Sequence, residues 1–442
     1  FQARETMNFL KENMQFTILT LIWVVMGILV DQSAMVLAPA VLLLFRQKGY
    51  YTEIIMTQVL INYLSDNRHW EFNFATLGKD MVLVTAASFV FLNPKNFPIR
   101  SKIFYPFLPF FFLAFILCWQ HPEPVHSFQK TLSFFLMVAI IPNYFLRQLE
   151  VEGPVYLRKI IWLGTILYVI ALAMMVVLPE DWTFLEGRYN GLLGNPNGVG
   201  TWSTMFFIFI YMSLRLFPDL LSTGEKIFVF GSLVLSVLLA SSRNSIFSIS
   251  IFLFFSRFYK ISPWLGFVIV IVVGLLYQVI NENLAFIITS LGLAEYMRLE
   301  HLNDGSGRLI AWTFAWDQIQ KHYFLLGRGF AFEEWLFKVN QDWLNVLGHQ
   351  GGVHNTYLAV WLNTGLVGLI CYLFGFFYNF FRAARTNHFS LPVMFAIMFS
   401  ITFEAWFQAS LNPFTIIALM VITLLQYDKP VETEEKGTVP VL

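Results

Sequence analysis

Ile160-Ile161-Trp162-Leu163-Gly164-Thr165-Ile166-Leu167-Tyr168-Val169-Ile170-Ala171-Leu172-Ala173-Met174-Met175-Val176-Val177-Leu178 runs nineteen residues without a charge, preceded by Arg158-Lys159 and followed by Pro179-Glu180-Asp181. Wound as an α-helix, it would be about 28 Å long, close to the roughly 30 Å of hydrocarbon in a bilayer. Runs of the same kind recur along the chain. They fall near 16–30, 32–45, 51–65, 77–93, 103–119, 131–146, 160–178, 198–214, 227–241, 244–256, 262–281, 355–381, 389–407 and 411–426. The shortest, 32–45 and 244–256, could be half-helices, so the reading is an all-α polytopic membrane protein with 12–14 transmembrane helices. The first run follows Arg4 and Lys11, has no small-residue cleavage site after it, and reads as a retained helix.

Composition agrees with solvation by lipid. Of the 442 residues only 13% are charged and 57% are hydrophobic, where soluble domains carry about 25% and 45–50%. Aromatic residues make up 18%, including 49 Phe, far more than a water-facing surface of this size would carry. The 28 Lys and Arg balance 28 Asp and Glu, which argues against a nucleic-acid binder that works by counterion release. Cys118 and Cys371 are the only cysteines and support neither a disulfide framework nor a thiolate metal site.

Short basic loops stay cytoplasmic. With the N-terminus inside, 18 of the 28 Lys and Arg fall on inside segments, and five of the other ten lie in one long outer loop where the rule has little force. Both termini then lie inside. The chain divides into transmembrane helices with short loops over 1–281, a loop domain over 282–353, further transmembrane helices over 354–427, and a polar tail over 428–442 expected to be disordered. The long loop contains an amphipathic run, Leu309 to Gln320, with Trp312, Phe314 and Trp316 among polar residues, expected as a helix at the membrane interface. No internal repeat or inverted symmetry of the kind many transporters show is visible.

The outer face gathers the residues that spanning does not explain. Arg243, between two apolar runs, is either a snorkelling or capping arginine or a fixed anion partner. Arg188, Asn195 and Asn197 stand in the Gly/Asn-rich stretch Gly187 to Gly198, which reads either as turn chemistry or as a loop whose free amides cradle an anion. Asp304-Gly305-Ser306-Gly307-Arg308 leads into the amphipathic run, placing Arg308 at a helix N-terminus, where dipole and guanidinium would reinforce each other. Arg328 either caps a helix C-terminus or joins the anion site. His354, followed by Asn355, closes the long loop; the helix dipole is expected to lower its pKa and favour the neutral form that a general base needs, although a lone interfacial His is more often structural. Glu404, in a late apolar run, is costly unless it pairs with an arginine or lines the cavity. Glu333-Glu334 reads as a solvated loop face.

As a set, Ser242-Arg243, Ser306-Gly307-Arg308-Leu309-Ile310-Ala311-Trp312, Leu326-Gly327-Arg328-Gly329-Phe330, and His354-Asn355-Thr356-Tyr357-Leu358 through Gly365-Leu366-Val367-Gly368 resemble the O-antigen ligase and O-antigen polymerase superfamily of bacterial membrane glycosyltransferases. The resemblance implies a GT-C-type fold in the inner membrane and a periplasmic active site. It implies an undecaprenyl-pyrophosphate-linked glycan as donor, a lipid A-core or other glycan hydroxyl as acceptor, and a metal-independent, inverting transfer with no cofactor. It assigns Arg243 and Arg308 to the pyrophosphate and His354 to the acceptor hydroxyl as base. From their own positions, Arg188, Asn195, Asn197, Arg328, Asn355 and Glu404 are candidate substrate contacts. Trp312 stands where the ligases tend to have Leu, which leaves ligase and polymerase both open. A competing reading, a transporter of lipid-linked glycan, predicts charges spread through the depth of several helices; here they cluster at one face, with exceptions such as Lys79, Asp80 and Glu404.

Overall fold

The computed structural model describes residues 13–30, 37–49, 51–93, 95, 98–269, 271–272, 290, 308–408 and 411–427. Ahead of the long loop the chain forms α1 (Met14–Val30), α2 (Leu37–Gln47), α3 (Tyr51–Ser65), α4 (Asn73–Leu92), α5 (Leu108–Leu117), α6 (Pro124–Glu152) and α7 (Pro154–Val177). A two-residue hairpin, β1 (Phe184–Leu185) with β2 (Arg188–Tyr189), precedes α8 (Pro196–Leu216), α9 (Thr223–Ala240) and α10 (Arg243–Ile261). Beyond the loop's opening come α11 (Arg308–Gln318), α12 (Phe332–Val339), α13 (Gln341–Val346), α14 (Thr356–Ala383), α15 (Ser390–Phe403) and α16 (Pro413–Leu425).

Among the described residues six helical segments are long and apolar enough to cross a membrane: Trp70–Leu92, α6, α7, α8, α9 and α14. Five shorter apolar helices accompany them. The protein is a multi-pass, all-α membrane protein. Each apolar run read from the sequence falls on a helix, and half of 262–281 lies outside the described residues. The run 244–256 is no half-helix; α10 extends over 19 residues. The tail 428–442, and the opening of the long loop through Gly307 apart from residue 290, also lie outside the described residues.

At the centre of the bundle stands α16, all 13 of whose residues are buried. A helix apolar on every side belongs in a core, and this one packs against α3, α6, α8 and α14. Between α15 and α16 the chain leaves helical geometry at Glu404 (φ −147°, ψ 139°) and re-enters it at the Asn412 cap. Irregular backbone inside an apolar bundle needs partners for its carbonyls. Thr356 Oγ1 donates to Glu404 O at 3.1 Å, and Asn412 Nδ2 and Thr415 Oγ1 donate to Trp406 O at 2.7 and 2.8 Å. Tyr372 Oη donates to Phe407 O.

A second irregularity lies in α14, where Gly365 has φ 73° and ψ −177° and divides the helix into two arms. The stretch Phe324 to Gly327 crosses at this break: Leu366 N donates to Phe324 O at 2.9 Å and Val367 N to Leu325 O at 3.3 Å. A Cβ at Gly365 would stand 2.2 Å from Leu325 O, and one at Gly327 would stand 2.3 Å from the Asn363 carbonyl carbon, so two backbones touch where neither residue has a side chain. The amphipathic run is helical as expected, and its buried face, Ala311, Ala315 and Ile319, joins Phe332, Leu336, Phe337, Leu344 and the first turns of α14 in a small core of its own.

Candidate functional site

One end of the bundle gathers the N-termini of α8, α10, α11 and α14 and the C-terminus of α15. Each helix start has a local cause. Asn195 Oδ1 accepts from Gly198 N at 2.8 Å and caps α8; Asn355 Oδ1 accepts from Leu358 N at 3.0 Å and caps α14. These two side chains, expected as substrate contacts, are therefore occupied as N-caps. His354 immediately precedes the cap and has φ 46°, a left-handed backbone that a non-glycine residue adopts only when its surroundings impose it.

Glu404 organises what these helices bring together. Its Oε1 accepts from Arg308 Nη2 at 2.7 Å and from Asn197 Nδ2 at 2.9 Å, and its Oε2 accepts from His354 Nδ1 at 3.2 Å. Arg308 and Glu404 are 19% and 14% exposed while the His354 side chain is 34% exposed, so the imidazole is the member that a substrate can reach. Arg308 Nε is buried without a partner among the described residues.

Burial alone would lower the His354 pKa; the hydrogen bond to Glu404 and that carboxylate's charge outweigh it, and the imidazole ends above its ordinary value. This corrects the expectation that a helix dipole leaves it lowered. Burial pushes the Glu404 carboxyl up, but His354 and Arg308 together hold it below the usual carboxylate range. The ionised carboxylate has no proton to give, so Nδ1 carries the hydrogen of that bond, and a hydrogen bond to the Gln350 backbone also raises the imidazole's pKa. Nε2 faces Gly351, where a Cβ would stand 3.0 Å from it.

Arg188 is joined to the cluster through Asn197, whose Oδ1 accepts from its Nη2 at 3.1 Å. It also donates to Ala240 O from Nε at 3.1 Å and from Nη2 at 2.9 Å, fastening the turn between α9 and α10 just before Arg243. Arg243 is the first residue of α10 and half-buried, and its neighbour Asn244 donates to Ser400 O on α15 at 3.3 Å. Arg328 stands apart: it is exposed, with its guanidinium 5.8 Å from the Tyr323 ring centroid.

Several amides of the Gly/Asn-rich stretch are taken up by protein acceptors. Those of Asn190 and Gly191 go to Thr183 O, that of Leu193 to Asn190 O, and Gly194 N donates to Asp66 Oδ2 at 3.3 Å. Of the two readings of this stretch these bonds fit the packed turn, and its glycines admit Asp66, whose carbonyl would lie 2.5 Å from a Cβ at Gly194. Sequence reasoning did not single out Asp66, which packs against this turn beside the cluster. Burial pushes its carboxyl up to about 6, against the Gly194 amide and the Lys79 charge, and the Glu404 carboxylate adds to the rise. The polar run Ser65-Asp66-Asn67-Arg68 at the outer end of an apolar segment was the available signal.

Glu333 corrects another expectation, for it is buried rather than solvated. Its Oε1 accepts from Gln408 Nε2 at 2.8 Å and its backbone N donates to Asn363 Oδ1 at 2.9 Å, while Oε2 has no partner among the described residues. Burial, with Glu334 beside it, pushes the carboxyl up to about 7. Only Glu334 is solvated, 3.3 Å from Lys130 Nζ.

Residues 227–373 match the Wzy_C family model, described as O-antigen ligase. Over this third of its length the chain is similar to the O-antigen ligases. That match supports placement in the O-antigen ligase and polymerase superfamily and includes Arg243, Arg308, Arg328 and His354. Asp66, Arg188, Asn197 and Glu404 lie outside the matched segment, yet hydrogen bonds join Arg188 to Ala240 and Glu404 to Arg308 within it, and Asn197 bridges Arg188 and Glu404. No curated protein matches the chain.

Proposed function

We propose that the protein transfers a glycan from undecaprenyl pyrophosphate to an acceptor hydroxyl, on lipid A-core or a comparable glycan, at the periplasmic face of a bacterial inner membrane. The fold is read as GT-C-type and the transfer as metal-independent and inverting. The observation that carries the reading is one carboxylate, Glu404, bonded at once to Arg308 at 2.7 Å and to His354 at 3.2 Å. A cation for a leaving group and a base for a nucleophile then share one anchor.

The chemistry follows from the groups present. The acceptor hydroxyl gives its proton to His354 Nε2, and its oxygen forms a bond to the anomeric carbon as the bond from that carbon to the pyrophosphate oxygen breaks. The electron pair leaves with the pyrophosphate, and a single displacement inverts the centre. Charge grows on the leaving group, so donors fixed in place before reaction are worth most there. Arg308, with Nε unpaired, supplies such a donor, and Arg243 a second fixed charge. Glu404 holds the imidazole in the Nδ1–H tautomer and stabilises the imidazolium that forms. Arg188 and Asn197 act as positioning residues, one fastening the turn before Arg243, the other holding Glu404. Joining of lipid-linked repeat units, the polymerase reading, uses the same steps with a different acceptor.

The test is transfer in vitro with polyprenyl-pyrophosphate-linked glycan and either a lipid A-core acceptor or a second lipid-linked repeat. His354→Ala is expected to lower the rate roughly 10²–10⁴-fold, the range of general-base catalysis. Unchanged turnover in both His354→Ala and Arg308→Ala would remove the mechanism. The acceptor that gains sugar separates ligase from polymerase.

A further inference from the structure

The ends of α8, α10 and α14 away from Glu404 carry a second constellation. There α8 ends with Arg215, α10 with Lys260, and the turn from α14 to α15 presents Arg385, Thr386, Asn387 and His388. A cavity of about 200 Å³ opens at this corner, with Tyr259, Pro263, Arg385, Thr386, Asn387 and His388 among the residues that line it. Arg215 reaches this corner, with its guanidinium 6.0 Å from the Phe389 ring centroid and Nη2 donating to Tyr211 Oη at 2.8 Å.

Among the described residues no carboxylate forms an ion pair with Arg215, Lys260 or Arg385. Burial lowers the His388 pKa, and the charges of Lys260 and Arg215 lower it further, as an unopposed positive potential would. Independently, Tyr259 lines the cavity with its side chain 2% exposed and its hydroxyl without a partner among the described residues. A buried hydroxyl left unpaired is costly unless something from outside supplies the partner. The rim is apolar: Trp264 is 81% and Ile261 62% exposed beside it, which suits a ligand that brings acyl chains.

We propose that this cavity binds the phosphate headgroup of an anionic phospholipid, with Arg385 and Lys260 on its charge, Tyr259 donating to one of its oxygens, and Thr386 and Asn387 as further polar contacts. The proposal stands apart from the transferase reading, since the cavity lies at the opposite end of the bundle. Basic pockets between membrane helices are suited to such headgroups, each Lys or Arg near the surface contributing severalfold in affinity.

The full-length protein in nanodiscs of phosphatidylcholine would be titrated with phosphatidylglycerol, and bound lipid counted by native mass spectrometry. The double variant Lys260→Gln/Arg385→Gln is expected to weaken phosphatidylglycerol binding roughly 30-fold while phosphatidylcholine is unaffected. Lys260→Arg/Arg385→Lys should retain it. Tyr259→Phe, which keeps the packing and removes only the hydroxyl, should weaken it by a smaller factor. Equal binding by wild type and double variant would overturn the proposal. So would displacement of the lipid by soluble glycerol phosphate, which would assign the cavity to a free phosphate. Retention seen only after removal of 428–442, with its Asp428, Glu432, Glu434 and Glu435, would assign the cavity to the chain's own acidic segment and overturn it too.

Discussion

Glu404 holds Arg308 and His354 with its two oxygens, and its loss would be felt differently by each. In Glu404→Gln the imidazole loses the charge that keeps its pKa above the ordinary value. The base works deprotonated, so the wild-type rate should rise with pH as His354 titrates through its raised pKa, and reach a plateau above it. The variant's rising limb should move to lower pH, with a plateau lower by roughly 10²-fold because the tautomer is no longer held. A rate-against-pH profile checks both, and an unmoved limb would separate Glu404 from the base. The costly charges Arg308, His354 and Glu404 were legible from sequence because apolar surroundings make any ionisable residue conspicuous. Their states were not. The partner of His354 lies 50 residues away, and that of the Gly194 amide 128 residues away, so neither the raised imidazole nor the closed turn could be read from local spacing.

At the level of elements, the glycines of Leu326-Gly327-Arg328 and Thr364-Gly365-Leu366 serve packing. They permit a loop backbone to cross the break in α14, and that crossing sets the arm of the helix that begins beside His354. Gly365→Ala places a Cβ on the Leu325 carbonyl at a residue with φ 73°. The left-handed conformation alone costs about 1–3 kcal/mol, and the overlap adds to it. Thermal unfolding in detergent should show a marked loss of stability, greater than for Gly352→Ala, where nothing stands within 4 Å of the added atom. The helices themselves were legible because lipid demands long uninterrupted apolar stretches. The α14 break was not, since its cause is a contact between segments. Glu333 and Glu334 look alike in sequence, but successive residues on a helix point about 100° apart, and α12 turns the first inward and the second toward Lys130.

For the whole molecule, stability should carry the signature of that inward carboxyl. Glu333 has a folded pKa of about 7, raised from 4.5. A raised acid binds more protons in the folded state than in the unfolded one, so stability should fall as pH rises between those two values and level off above the upper one. In Glu333→Gln the slope should shrink while Gln408 keeps an oxygen to donate to. Melting temperatures from pH 5 to 8 measure the difference, and parallel curves for the two proteins would refute it.

The burial of every residue of α16 bears on how such a protein is made. A segment emerging late from the ribosome cannot slide in along the lipid boundary and stay there, since no side of it is meant for lipid. Its predecessors must hold a slot open until it arrives, and a nascent chain stalled before Pro413 would present that slot to the quality-control proteases of the membrane.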